Sequence, residues 1–117
     1  MILCVIDDLL FSIKIKTAAK SLGGVDLLFE RSREMVVPRI REHRPSLVIF
    51  DLNSRTMDPL TAIAAMKSDD ELRSIRTIGF VSHVDAATIA AARTAGIDQV
   101  LARSAFAEQL GQILTSA

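Results

Sequence analysis

The sequence predicts an α/β fold, a doubly wound five-stranded parallel sheet with strand order 2-1-3-4-5. Three observations carry that prediction. Short aliphatic runs alternate with longer segments of helical periodicity along the 117 residues. Cap and turn residues fall at the junctions between them. Four of the runs also end on a polar residue: Ile2–Ile6 on Asp7 and Asp8, Leu47–Phe50 on Asp51, Thr77–Val81 on Ser82, and Gln99–Ala102 on Arg103. In an open parallel sheet, residues just past the carboxyl ends of the strands converge on one crevice, where the strand order reverses.

Residues 2–6 are short, aliphatic and bounded by charge, as a buried strand is. The helix after them has one apolar face, Phe11, Ile15, Ala18, Ala19 and Leu22, with Ser12, Lys14, Lys16 and Lys20 on the rest. Gly23 and Gly24 stop it, because glycine accepts the left-handed conformation a helix end needs. Val25–Phe29 is the second strand. Ser32 is placed to cap a second helix carrying Val36, Val37 and Ile40. Pro38 in a helix interior would cost about 3 kcal/mol, so that helix is either kinked or starts late, with Pro38 in its first turn. Pro45 ends the segment, and Leu47–Phe50 is the third strand.

Asp58-Pro59 reads as the start of a third helix, with aspartate as the cap and proline where no donor is needed. Leu60, Ile63, Ala64 and Lys67 follow. The charged stretch from Ser68 to Arg76 has room for one helical turn around Glu71, Leu72 and Arg73, before the fourth strand at Thr77–Val81. Asp85 caps a fourth helix that runs to Ala95 and closes at Gly96. Ile97–Ala102 carries the fifth strand. Ser104 caps a last helix whose apolar face is Phe106, Leu110, Ile113 and Leu114. No linker or repeat interrupts the pattern, so residues 1–117 read as a single domain.

Composition narrows the function classes. Half of the residues are apolar and about a quarter are charged, which argues against disorder. Lysine plus arginine balance aspartate plus glutamate at 14 each, so the basic footprint of a nucleic-acid binder is missing. Tryptophan and tyrosine are absent, which removes the usual stacking platform for single strands. Cys4, the only cysteine, reads as a small core residue. The opening apolar run is far too short for a signal peptide or a membrane span, so the expected location is the cytoplasm, with no membrane partner.

In the predicted sheet, Asp7, Asp8, Asp51, Ser82 and Arg103 meet at one edge. Three carboxylates, a hydroxyl and a fixed cation suit a divalent metal and a phosphoryl group. Mg²⁺ takes oxygen ligands and keeps several waters, so two or three protein ligands suffice. Phosphoryl transfer leaves the protein mainly positioning and charge neutralisation to do. Carboxylates held together repel, so without a cation at least one of them should have a raised pKa.

With these positions in place, the chain resembles the receiver domains of two-component response regulators over essentially its whole length. The resemblance rests on Asp7-Asp8 after the first strand, and on Asp51-Leu52 after the third with Met57-Asp58 at the family's spacing. Ser82 at the end of the fourth strand and the Ala95-Gly96 turn before the fifth also match. It implies the flavodoxin-like, receiver-like (βα)5 fold, with Asp51 as phosphoacceptor. The phosphoryl group would come from a phosphohistidine on a histidine kinase or phosphotransfer protein. Mg²⁺ is the implied cofactor, bound by Asp8 directly, Asp7 through a water, Asp51, and the backbone carbonyl of Asn53. Ser82 would hydrogen-bond a phosphoryl oxygen. The signal would leave by the face of the fourth helix, fifth strand and fifth helix, toward an unidentified downstream protein. Such a domain is not a turnover enzyme; at most it phosphorylates and dephosphorylates itself.

The departures from the family pattern open an alternative. Arg103-Ser104 stands where the family has lysine followed by proline. Arginine is planar and prefers a two-pronged contact. A cis bond before Ser104 would cost roughly 3 kcal/mol, so a trans bond and a shifted loop are expected. His83 stands where a small residue is usual and would narrow access to Asp51. Val100 replaces the aromatic whose inward turn reports phosphorylation in many members, Arg55 replaces a proline and Pro59 a glycine. The alternative is a pseudo-receiver, a phosphorylation-independent protein-interaction module in which Arg103 pairs with Asp51 or Asp8 and permanently fills the site. An aspartate-dependent phosphatase is disfavoured by Asn53, which has no proton to give two residues after the nucleophile. A flavin or nucleotide binder lacks the glycine-rich loop after its first strand. The apolar last helix leaves a homodimer open.

Overall fold

The computed structural model describes residues 1–82 and 85–117. Parallel strands β1 (Ile2–Val5), β2 (Leu27–Phe29), β3 (Leu47–Asp51), β4 (Arg76–Val81) and β5 (Gln99–Ala102) pair in the order β2-β1-β3-β4-β5. Ile2 pairs with Leu27 on one side and Leu47 on the other, and Asp51 pairs with Phe80. β1 and β3 are buried along their whole length, as strands with helices on both sheet faces must be.

Alternation along the strands sends residues to two cores. Leu3, Val5, Val48 and Phe50 pack with α2 (Val36–His43), α3 (Pro59–Lys67) and α4 (Ala86–Ala95), through Ile40, Ile63, Met66 and Ala92. Ile2, Cys4, Ile49, Ile78 and Phe80 pack with α1 (Leu9–Ser21), α5 (Arg103–Glu108) and α6 (Leu110–Thr115), through Phe11, Ile15, Phe106 and Leu114. The doubly wound sheet predicted from the sequence is the one observed. Cys4 is a buried core residue, and burial pushes its thiol up to about 12.

The helix starts differ from expectation in instructive ways. α2 starts late, with Pro38 in its first turn, where the missing N–H has no intrahelical partner to lose. A short 3-10 turn, Arg33–Met35, precedes it, and the Ser32 hydroxyl donates to Glu34 at 2.9 Å instead of capping. Asp58 does not cap α3. Its backbone is left-handed, at φ 45°, which is not the extended geometry from which a side chain reaches the first N–H groups. Asp85 does cap α4, accepting from Ala87 and Thr88, and Gly96 closes that helix at φ 105°.

Ser104 is not a cap either. The last helix begins two residues earlier than a Ser104 cap would set it, after Ala102, so Ser104 lies inside its first turn. That helix is divided at Gln109 into α5 and α6. Its apolar face, Phe106, Leu110, Ile113 and Leu114, is spent in the core and offers no dimer surface. The exposed large apolar residues sit on α1 instead, at Leu9, Leu10 and Ile13. Ser12, assigned to the polar side of α1, is fully buried because its hydroxyl donates to the Asp8 carbonyl at 2.8 Å. Leu22, assigned to the buried face, is exposed at the helix end.

At the amino edge of the sheet, Lys67 donates to the carbonyls of Arg73 and Ile75 and to Asp98. Asp98 also accepts the Thr77 N–H and hydroxyl, which ties α3, β4 and the approach to β5. Among the described residues no helix is long and apolar enough to cross a membrane, and no peptide bond is cis, so Arg103–Ser104 is trans as expected.

Candidate functional site

The sheet order sets the site. Asp7 and Asp8 follow β1, Asp51 ends β3, Ser82 follows β4, and Arg103 follows β5 as the first residue of α5. β1 and β3 are neighbours at the point where the strand order reverses, so their carboxyl ends flank the crevice.

Asp51 is only 7% exposed. The Asn53 N–H donates to its Oδ1 at 3.0 Å. Burial pushes its carboxyl above the ordinary value. The Asn53 N–H opposes that rise, the charge of Asp7 adds to it, and Arg103 and Asp8 pull in opposite directions. The acidic cluster does contain one raised group, but burial is the main cause, and the repulsion expected from Asp7 and Asp8 only adds to it.

Asp8 has work for both oxygens. Its Oδ1 accepts the Phe11 N–H at 3.1 Å, which caps α1. Its Oδ2 accepts from Arg103 Nη2 at 3.0 Å. The Phe11 N–H holds this carboxyl below the usual range, burial works against that, and Arg103 reinforces it. Asp7 Oδ2 accepts the Ser54 hydroxyl at 3.2 Å and also the Thr56 hydroxyl.

Arg103 links the parts. Besides Asp8, it donates from Nη1 to the Ser82 hydroxyl at 3.2 Å. Its guanidinium carbon lies 4.1 Å from the centre of the Phe11 ring, within cation–π range. The Ser82 N–H donates to Asn53 Oδ1, and the Leu52 N–H to the Phe80 carbonyl at 3.0 Å, so the loop after Asp51 is fastened to β4. An open cavity of about 670 Å³ lies beside this cluster, lined by Asn53, Ser54, Arg55, Ser82, Thr88 and Arg103.

The structure thus joins Asp8, Arg103 and Ser82 directly, and it joins Asp51 to Asn53. Of the two counterions considered for Arg103, Asp8 is the one it bonds. His83 lies outside the described residues. Sequence reading missed Phe11, Ser54 and Thr56 as members of the cluster. Phe11 read as a core residue of an amphipathic helix, and nothing local links it to an arginine 92 positions later.

The donor chemistry of the three carboxylates suits Mg²⁺, an ion that takes oxygen ligands. Their present partners compete with it. Among the described residues no three acidic, histidine or cysteine groups are gathered so as to hold a metal ion. Both Asp8 oxygens already accept, from Phe11 and Arg103, whereas the Ser54 and Thr56 hydroxyls both sit on one oxygen of Asp7.

No family model matches the sequence, and no curated protein matches it. Solved structures do. The phosphorylated cyanobacterial phytochrome response regulator RcpA is 24% identical, with a TM-score of 0.81, over 98% of this chain and 88% of that one. The Mn²⁺-bound form of the response regulator Rcp1 is 19% identical, with a TM-score of 0.77, over 98% and 88%. The signal receiver domain of a signal transduction histidine kinase from Syntrophus aciditrophicus is 21% identical, with a TM-score of 0.79, over 99% and 90%. Across its whole length, the chain has the fold of a response-regulator receiver domain.

Proposed function

We propose that the chain is a phosphoacceptor receiver of two-component signalling, a single domain working in the cytoplasm. Asp51 accepts a phosphoryl group from a phosphohistidine on a histidine kinase or phosphotransfer protein. The observation that carries this reading is a buried carboxylate at the end of β3, flanked by Asp7 and by the Asp8–Arg103–Ser82 cluster.

The chemistry follows from the residues. An Asp51 oxygen attacks phosphorus, the P–N bond to the imidazole breaks, and an acyl phosphate forms. The Asn53 N–H on Oδ1 fixes the carboxylate and leaves Oδ2 as the nucleophile. Ser82 and Arg103 donate to phosphoryl oxygens as charge gathers there. Arginine suits that task through its two-pronged geometry, although it is not placed as a lysine would be. Asp7, Asp8, Asp51 and the Asn53 carbonyl are the ligands proposed for Mg²⁺, which supplies charge neutralisation when bound. The phosphorylated RcpA and the Mn²⁺-bound Rcp1 share this fold, which supports both halves of the reading. The signal then passes to a downstream protein by the face of α4, β5 and α5.

The test is intact mass after incubation with Mg²⁺ and acetyl phosphate, beside Asp51→Asn. A phosphoryl adduct on the native chain, absent from the variant, is the expected result.

One observation favours a second reading. Arg103 bonds both Asp8 and Ser82, and so already fills the place of metal and phosphoryl contacts. In that reading the chain is a pseudo-receiver that binds its partner without phosphorylation. No adduct on folded protein at saturating Mg²⁺ would select it and reject the first.

A further inference from the structure

We infer that Phe11 is a positioning residue for Arg103: its ring face seats the guanidinium beside Ser82 and Asp8, where it meets a phosphoryl group on Asp51. The inference rests on the phosphoacceptor reading of Asp51.

A lysine at this position would need only a direction, because an ammonium is a compact point charge. A guanidinium also needs a plane. Arg103 is a long side chain, about a third exposed, on the first residue of a helix. Without further restraint it would sample many rotamers. Three contacts remove that freedom. Nη1 is fixed on Ser82 at 3.2 Å and Nη2 on Asp8 at 3.0 Å, while Cζ lies over the Phe11 ring, 4.1 Å from its centre.

The seat is itself held. Phe11 packs against Phe80 and Phe106 at ring separations of 4.9 and 5.8 Å. Its N–H is bound by the other oxygen of Asp8, at 3.1 Å. Asp8 therefore grips both the ring-bearing residue and the cation stacked on it. The contacts form a closed circuit, Asp8 to Phe11 to Arg103 and back. Phe80 lies two residues before Ser82 on β4, so the same aromatic cluster also supports the strand that presents the hydroxyl. Leucine could fill this volume, but it has no quadrupole to hold a cation over its face.

Two measurements test this on the full chain. Proton NMR should show Arg103 side-chain resonances displaced by the Phe11 ring current, and Phe11→Leu should abolish the displacement. The rate of Asp51 labelling by acetyl phosphate, read by intact mass, should fall about 5-fold in Phe11→Leu and stay within about twofold in Phe11→Trp, which restores a π face. In an Arg103→Met background, Phe11→Leu should have no further effect on the rate, because there is no guanidinium left to seat. Urea unfolding of each variant separates loss of fold from loss of rate.

Absence of the ring-current displacement in the native chain overturns the inference. So does a folded Phe11→Leu variant that labels as fast as the native chain, or a Phe11→Trp variant that is slowed as much as the leucine. If the native chain takes no phosphoryl group at all, the phosphoacceptor reading fails and this inference falls with it. That outcome is distinct from native labelling that ignores Phe11, which sinks the inference alone.

Discussion

Asp51→Asn destroys the proposed nucleophile, yet it should make the protein more stable at neutral pH. Asp51 is 93% removed from water, as its 7% exposure implies. Burial raises its carboxyl pKa, the Asn53 N–H lowers it, Asp7 and Asp8 raise it further and Arg103 offsets part of that. A carboxyl with a raised folded pKa binds its proton more tightly when folded. Its contribution to stability is complete below the unfolded value, about 3.9, and is lost as pH rises through the folded value. At pH 7 the folded protein therefore carries a charge it would be more stable without. Asparagine is nearly isosteric, still accepts the Asn53 N–H and carries no charge.

The size of the effect follows from what surrounds the group. One hydrogen bond and one nearby cation compensate the charge, and two like charges oppose it. An imperfectly compensated buried carboxylate of this kind costs about 1–2 kcal/mol. For a domain of this size, about 1.5 kcal/mol raises the thermal midpoint by about 5 °C. The assay is urea and thermal unfolding followed by far-UV circular dichroism, since the chain has no tryptophan or tyrosine to report by fluorescence. The gap between variant and native chain should narrow as pH falls from 7 toward 4. Saturating Mg²⁺ should also narrow it, by stabilising the native carboxylate. A variant less stable than the native chain at pH 7, or a gap that widens on acidification, would refute the reasoning.

Other perturbations probe separate parts of the molecule. Arg103→Met frees Asp8 from an ion pair that, discounted for its exposure, is worth about 1 kcal/mol, so Mg²⁺ should bind about 5-fold more tightly by titration calorimetry. Equal or weaker binding would show that metal and guanidinium do not compete. Gly79→Ala places a Cβ 2.6 Å from Leu52 Cδ1 and 2.8 Å from Ile97 Cδ1. It should cost about 1–3 kcal/mol by the urea midpoint, and slow Asp51 labelling by displacing the adjacent Leu52. Lys67→Met strips three acceptors of one donor at the opposite edge of the sheet. It should cost about 2–3 kcal/mol and leave the labelling rate of the folded protein unchanged, by intact mass at low temperature.

The sheet was legible because its signals are local and redundant. Aliphatic runs of four or five residues, a helical stripe between each pair, and glycines at Gly23, Gly24 and Gly96 all report the same backbone, and those glycines do adopt positive φ. The carboxylates and Ser82 were legible because each ends a strand or lies within three residues of its end, and strand order fixes where such residues go. What failed were inferences about single side chains. Asp58 has a capping residue's identity but a left-handed backbone, and Ser104 missed the cap by two residues. Which oxygen takes which donor was legible only where the partner is near in sequence, as for Asp85 with Ala87 and Thr88. Phe11 with Arg103, and Asp7 with Thr56, depend on loop paths that no local pattern encodes.

Substituting arginine for lysine in such a crevice has consequences beyond the one position. A lysine can reach into an acidic cluster and leave it by rotating a flexible chain, with little else to reorganise. Arg103 is held by two hydrogen bonds and a ring contact, and each belongs to a different part of the fold: β1's end through Asp8, β4's end through Ser82, and α1 through Phe11. The acidic cluster is therefore partly neutralised before any ligand arrives, and a metal ion must displace a cation to enter. That predicts weak Mg²⁺ binding in the resting chain. It also predicts positive coupling between metal and phosphoryl group, since a phosphoryl group offers the guanidinium new acceptors and frees Asp8 for the ion. Mg²⁺ affinity measured with and without a phosphoryl mimic on Asp51 gives that coupling directly. If the mimic leaves the affinity unchanged, Arg103 is a fixed counterion and not an exchangeable one.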